Sequence, residues 1–171
     1  DIGTVPTPVL YWAECAYETD AAVQITGSHN PPEWNGIKMT CGRAALYGAD
    51  IQSLLSRIED DDVDSGEGDV ECIEVLDAYV KDVAGRFELE RPMKVAVDCG
   101  NGSGALVAEK LFAAMGVEVT PLFCESDGTF PNHHPDPTVD ENLEDLIDAV
   151  RAEPHDLGVA FDGDADRLGA V

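Results

Sequence analysis

The run Lys94-Val95-Ala96-Val97-Asp98-Cys99-Gly100-Asn101-Gly102-Ser103-Gly104 decides the fold. Its first five residues are rich in apolar, β-branched side chains, and the glycines then break the run, which reads as a buried strand feeding a tight turn. A helix is predicted from Ala105 to Met115, closed by Gly116. The next strand is Val117 to Phe123, followed by a loop from Asp127 to Pro137, a helix from Asn142 to Ala152 and a strand from Leu157 to Phe161. Strand, helix, strand, helix, strand implies a parallel sheet with right-handed crossovers.

Working back from this stretch, Arg91-Pro92 marks a boundary between residues 1–90 and 91–171. In the first part Pro8 is placed to start a helix from Val9 to about Glu18, with Thr7 as its cap. Ala21 to Ile25 predicts a buried strand and Gly36 to Thr40 the next one. Ile51, Leu54, Leu55 and Ile58 have helical spacing, so Ala49 to Glu59 is a helix. Glu59 to Gly66 is an acidic connector, and a further helix runs roughly from Cys72 to Arg86. The expected class is α/β, with mixed or parallel sheets flanked by helices in two consecutive domains.

The formal net charge is -25, from 35 acidic against 10 basic residues. That excludes nucleic acid and anionic membrane as expected partners. It leaves open a solvated acidic surface, a high-salt habitat and cation binding. The five cysteines are scattered and form no CxxC pair, which points to reduced thiols in a cytoplasmic protein rather than a disulfide frame or zinc site. No apolar run approaches membrane-spanning length and no signal peptide is visible. The chain opens on Asp1 rather than Met, so an earlier signal stays open.

Two stretches carry chemistry. After Ile25 the chain enters Thr26-Gly27-Ser28-His29-Asn30-Pro31-Pro32, then Asn35-Gly36-Ile37-Lys38. A small nucleophile, Ser28, stands beside an imidazole, His29, with the ammonium of Lys38 ten residues on. A serine at the end of a strand on a polar loop is a candidate covalent carrier; the alternative is an ordinary turn with Ser28 capping a helix. The second stretch, Asp162-Gly163-Asp164-Ala165-Asp166-Arg167, follows the last strand, where ligands of an α/β sheet bind. Three carboxylates at alternate positions suit a hard cation, magnesium or calcium, and the EF-hand spacing for calcium is not met. Arg167 makes sense if an anion such as a phosphate binds beside the metal. Together they propose phosphoryl transfer: Asp162, Asp164 and Asp166 hold the metal, Arg167 holds the phosphoserine, and Lys38 or His29 manages the proton.

Gly100-Asn101-Gly102-Ser103-Gly104 has neither the GxGxxG nor the P-loop spacing, so a tight turn is favoured over a phosphate cradle. His133 and His134 are adjacent, which sends them to opposite sides of an extended loop, and they are read as loop residues.

These motifs resemble the α-D-phosphohexomutases, most of all the bacterial phosphomannomutase/phosphoglucomutases. The likeness extends through Val5-Pro6-Thr7-Pro8-Val9-Leu10, the run from Pro92 to Gly102, and Asp127 to Pro137, and so covers nearly the whole chain. The resemblance implies that Ser28 is a phosphoserine exchanging its phosphoryl group with a hexose 1- or 6-phosphate through a 1,6-bisphosphate. It implies Mg²⁺ on Asp162, Asp164, Asp166 and a phosphate oxygen of Ser28, with Arg167 on the same phosphate, Lys38 as general acid/base and His29 assisting. It also implies a fold of four domains around a cleft. The chain would then hold part of domain 1 and most of domain 2, with domains 3 and 4 as its partners in a longer protein, and little turnover alone. Ala165 stands where many relatives have Gly. Two other readings remain: a phosphoglucosamine mutase, against which Gly27 counts because those relatives usually have Ala there, and a noncatalytic acidic cation-binding module.

Overall fold

Two sheets divide the chain, and each follows from how its strands are bounded. A computed structural model describes residues 1–31 and 33–171; Pro32 of the serine motif lies outside the described residues. In chain order the elements are α1 (Thr7–Ala16), β1 (Ala21–Ile25), β2 (Ile37–Cys41), β3 (Ala44–Ala45), α2 (Ala49–Glu59), α3 (Leu76–Ala84), β4 (Met93–Asp98), α4 (Ala108–Ala114), β5 (Val117–Leu122), α5 (Glu144–Ala152), β6 (Leu157–Phe161) and β7 (Leu168–Ala170). Short 3₁₀ turns at Ser103–Leu106 and Asp140–Leu143 lead into α4 and α5.

The second sheet has the order β5-β4-β6-β7. β4 lies between parallel partners, with Val95 opposite both Val119 and Leu157. Its side chains alternate between two cores, as the period of a strand requires. Val95 and Val97 pack with Ala108, Val117 and Val159, against Phe112 and Met115. Ala96 and Ala160 face the other way, where their small size leaves room for Leu146, 0% exposed, with Ile147 and Val150 beside it. A central strand covered on both faces is what the unbroken apolar run predicts. β7, which the sequence reading does not anticipate, adds an antiparallel edge, Phe161 opposite Leu168.

The first sheet is antiparallel, order β1-β2-β3, with Val23 opposite Met39 and Ile25 opposite Ile37. Here the structure corrects an expectation: β1 is not buried. Its burial alternates, and Val23, Ile25 and Ile37 share an exposed face. The apolar run is real, but among the described residues only the α1 side of this sheet is covered. Behind α1 lies a third core of Val5, Val9, Val75, Val80 and Val107, closed by the edge-to-face pair Trp12 and Tyr79.

Other boundaries move for local reasons. α1 begins at Thr7 and stops at Ala16; Glu18 already has φ 53. α3 starts at Leu76 rather than Cys72, because the preceding residues pair with Asp1: Ile73 N donates to Asp1 O at 2.9 Å and the Asp1 nitrogen to Glu71 O at 2.6 Å. The predicted helix at 105–115 breaks at Val107, φ -132. β5 ends before Phe123, φ 51.

Candidate active site

At the end of β1 the chain folds into a turn closed by Asn30 N donating to Gly27 O at 2.8 Å. The turn sets Ser28 in the left-handed region, φ 52. Thr26 Oγ1 accepts from Ser28 N at 2.8 Å, so the residue before the turn fixes the serine's amide. The acidic loop follows β6 in the same way. Ala165 N donates to Asp162 O at 3.0 Å, and Ala165 takes φ 57, a conformation that costs a residue with a Cβ about 1–2 kcal/mol.

The two loops meet. A Cβ built on Gly163 would stand 2.1 Å from the Ser28 carbonyl oxygen, so only glycine lets the backbones approach this closely. Ser28 Oγ donates to Asp162 Oδ2 at 2.8 Å and accepts from Arg167 Nη2 at 3.0 Å, although 134 residues separate the serine from the aspartate. His29 Nδ1 lies 3.3 Å from the same hydroxyl and also accepts from Arg167 Nη2. Arg167 is tied back to Asp162 by Nε at 3.0 Å and Nη2 at 2.6 Å, with its own amide on Oδ1 at 3.0 Å. Lys38 Nζ donates to Asp164 Oδ2 and Asp166 Oδ2, each at 2.6 Å.

Burial and charge compete here, and charge wins. Burial pushes the Lys38 ammonium down, but Asp164 and Asp166 outweigh it and hold the lysine above its ordinary value. Burial pushes Asp164 up, and Lys38, Thr7 and Thr26 together carry it below the usual carboxylate range. Burial likewise opposes the Arg167 charge, and Asp162 overcomes it.

Residues 1–63 match phosphoglucomutase/phosphomannomutase, alpha/beta/alpha domain I, and residues 77–171 match domain II of the same family. The chain belongs to the phosphoglucomutase/phosphomannomutase family. It is 52% identical over 171 residues to a phosphomannomutase/phosphoglucomutase of Pseudomonas aeruginosa, covering all of this chain and 37% of that protein. It is 49% identical over 173 residues to a phosphoglucomutase of Neisseria meningitidis, covering all of this chain and 38% of the relative. A solved structure of a phosphoglucomutase/phosphomannomutase family protein from Burkholderia thailandensis superposes with a TM-score of 0.94 at 46% identity, over all of this chain and 39% of that one. The chain thus spans little more than a third of the length of these relatives.

In this family member the acidic loop fits a divalent cation. Asp162, Asp164 and Asp166 each offer an oxygen within 4.8 Å of the others. Asp164 is 3% exposed, and its Oδ1 is buried without a hydrogen-bond partner while Oδ2 accepts from three donors. A buried carboxylate oxygen without a partner is costly, and a hard cation is its natural complement. The Lys38 ammonium already bridges Asp164 and Asp166, showing that the loop is shaped around positive charge.

All seven residues singled out from the sequence converge: Ser28, His29, Asp162 and Arg167 on one side, Lys38, Asp164 and Asp166 on the other. Other members of the site escaped the sequence reading. Thr7 is not a helix cap; its fully buried hydroxyl donates to Asp164 Oδ2 at 2.7 Å and its amide to Asp164 O at 2.9 Å. Thr26 Oγ1 donates to the same Oδ2 at 3.1 Å. Thr26 stands two residues before Ser28, the spacing that puts side chains on one side of extended backbone, so a signal existed for it; nothing marked Thr7. His133 and His134 do diverge. His134 Nε2 reaches the His29 carbonyl, and His133 Nε2 pairs with the buried Asp98 at 2.9 Å. The Gly-rich turn is structural: Asn101, Gly102 and Ser103 spend their amides on Phe123, Cys99 and Gly163 carbonyls.

Proposed function

We propose that this chain carries the phosphoryl-transfer machinery of a mutase interconverting hexose 6-phosphate and hexose 1-phosphate, with mannose, glucose or both as the sugar. The observation that carries this reading is the Ser28 hydroxyl held between Asp162 Oδ2 and Arg167 Nη2. A cation store needs neither a serine there nor an arginine on it.

Asp162, Asp164 and Asp166 would hold Mg²⁺, which would neutralise charge on the transferring phosphoryl oxygens. The remaining chemistry belongs to side chains of this chain. A sugar hydroxyl attacks the phosphorus of phosphorylated Ser28; the new P–O bond to the sugar forms, the P–Oγ bond breaks, and a hexose 1,6-bisphosphate results. Arg167, forked between Asp162 and Ser28, steadies the phosphoryl charge at both ends of that transfer. Lys38, which its carboxylates keep in the protonated form, is the residue assigned to give a proton to the departing Oγ as general acid. His29, next to Oγ, assists by taking the proton of the attacking hydroxyl. After the bisphosphate reorients, its other phosphoryl group returns to Ser28 and the second hexose phosphate leaves.

The same reading divides the chain near residues 90 and 91, with the two sheets on either side as its support. It assigns sugar recognition to further domains within the relatives' remaining length, and places the protein in the cytoplasm. No helix among the described residues is long and apolar enough to cross a membrane.

Peptide mass spectrometry of the complete protein tests the proposal. After incubation with a hexose 1,6-bisphosphate and Mg²⁺, Ser28 should carry one phosphoryl group, and adding a hexose 6-phosphate should remove it. A Ser28 that stays unmodified under both conditions defeats the reading. A panel of mannose, glucose and glucosamine 6-phosphates then assigns the sugar.

A further inference from the structure

Three of the five cysteines, Cys15, Cys41 and Cys72, are exposed. The other two are neighbours. β4 and β5 run parallel with Asp98 opposite Leu122, and their pairing continues past the strand ends, Cys99 N to Leu122 O at 3.1 Å and Asn101 N to Phe123 O at 2.9 Å. Cys99 and Cys124 therefore leave the sheet side by side at its carboxyl edge. Their sulfurs are 3.3 Å apart. A disulfide needs about 2.05 Å, so closing the bond asks for a movement of little more than an ångström.

The two sulfurs differ in access. Cys99 is 0% exposed. Cys124 is half-buried and lines a surface cavity with Asn101, Glu109, Phe123 and Asn132. That asymmetry is the one a reactive and a resolving thiol require. The contact between the two sulfurs favours the thiolate of Cys124, while the same contact and burial push Cys99 up.

We propose that Cys99 and Cys124 are a dithiol–disulfide pair, a modification site oxidised by a small peroxide and restored by a small thiol. The Cys124 thiolate attacks one peroxide oxygen; the O–O bond breaks, hydroxide leaves and is protonated to water, and Cys124 becomes a sulfenic acid. The Cys99 sulfur then attacks the Cys124 sulfur, the S–S bond forms, the S–OH bond breaks and a second water leaves. Two thiols have given two electrons and two protons, and one hydrogen peroxide has become two waters. An excess of a monothiol reverses the bond by exchange.

The test uses the complete protein with Cys15→Ser, Cys41→Ser and Cys72→Ser. Hydrogen peroxide should remove the Cys99 and Cys124 thiols together and yield one intramolecular linked peptide joining Cys99 and Cys124, two hydrogens lighter than the separate peptides and recovered as thiols by dithiothreitol. Adding Cys99→Ser should abolish the linked peptide and leave Cys124 as a sulfenic acid trapped by dimedone. The wild-type protein should give the same linked peptide, so the test does not depend on the triple variant folding. The proposal is overturned if Cys124 passes to sulfinic acid while Cys99 stays a thiol. It is equally overturned if both thiols survive peroxide that oxidises Cys72 in the wild type.

Discussion

The sheet that bears the acidic loop is packed on both faces, whereas the sheet that bears the serine is covered on one. β4 buries four consecutive residues, Val95 to Asp98, while β1 alternates between half-buried and exposed. The difference shows how the site is held. The acidic loop inherits its position from a core. The serine loop is fastened to it by polar bonds: Ser28 to Asp162, Thr7, Thr26 and Lys38 to Asp164, and His134 to the His29 carbonyl. Regions with few buried apolar contacts open more readily than cores, so these bonds set the geometry of the Ser28 hydroxyl.

Asp164 is the place to break that contrast. Asp164→Ala removes the acceptor shared by Thr7, Thr26 and Lys38 and should cost about 3 kcal/mol. The loss should be lopsided. Amide exchange should accelerate at Thr26 and Ser28 and remain slow in β4 and β6. Equal acceleration in both sheets would mean that the serine loop is as firmly cored as its partner.

A second pair of substitutions sharpens the comparison through packing alone. Val97 is 0% exposed and Val23 55% exposed. Val97→Ala should lower the unfolding free energy by about 2 kcal/mol, and Val23→Ala should stay within about 0.5 kcal/mol. Denaturant unfolding of the two variants measures both, and a large cost at Val23 would reveal a covered face.

The smallest expected effect is the one that varies with pH. The hydrogen bond to Asp98 holds His133 above its ordinary 6.5, pinning the 127–137 loop to the end of β4. A raised folded-state pKa contributes stability that is full below the unfolded value and fades as pH rises through the folded one. The stability advantage of the wild type over His133→Gln should therefore shrink from mildly acidic to alkaline pH. An advantage that grows over that range would reverse the assignment of the proton.

What the sequence disclosed follows the same division. The core around β4 and β6 is legible because those two strands are mostly apolar runs and β5 alternates with the period of a strand. The short strands β3 and β7 have no period to read, and the start of α3 depends on a pairing with Asp1 that local pattern does not contain. β1 is less buried than its sequence predicts because an apolar run states what a strand could bury, not what covers it. In the site, the two motifs announced themselves by residue type and spacing. Thr7 and the Asp98–His133 pair did not, because their roles exist only once distant segments meet.

The backbone angle of Ser28 carries one last consequence. Threonine offers the same hydroxyl and accepts phosphoryl groups as serine does. At φ 52, however, a β-branched residue is an outlier. The residues that tolerate this conformation without strain, glycine and asparagine above all, bring no hydroxyl. Between the two aliphatic hydroxyl residues, the shape of this turn therefore selects serine over threonine before reactivity does.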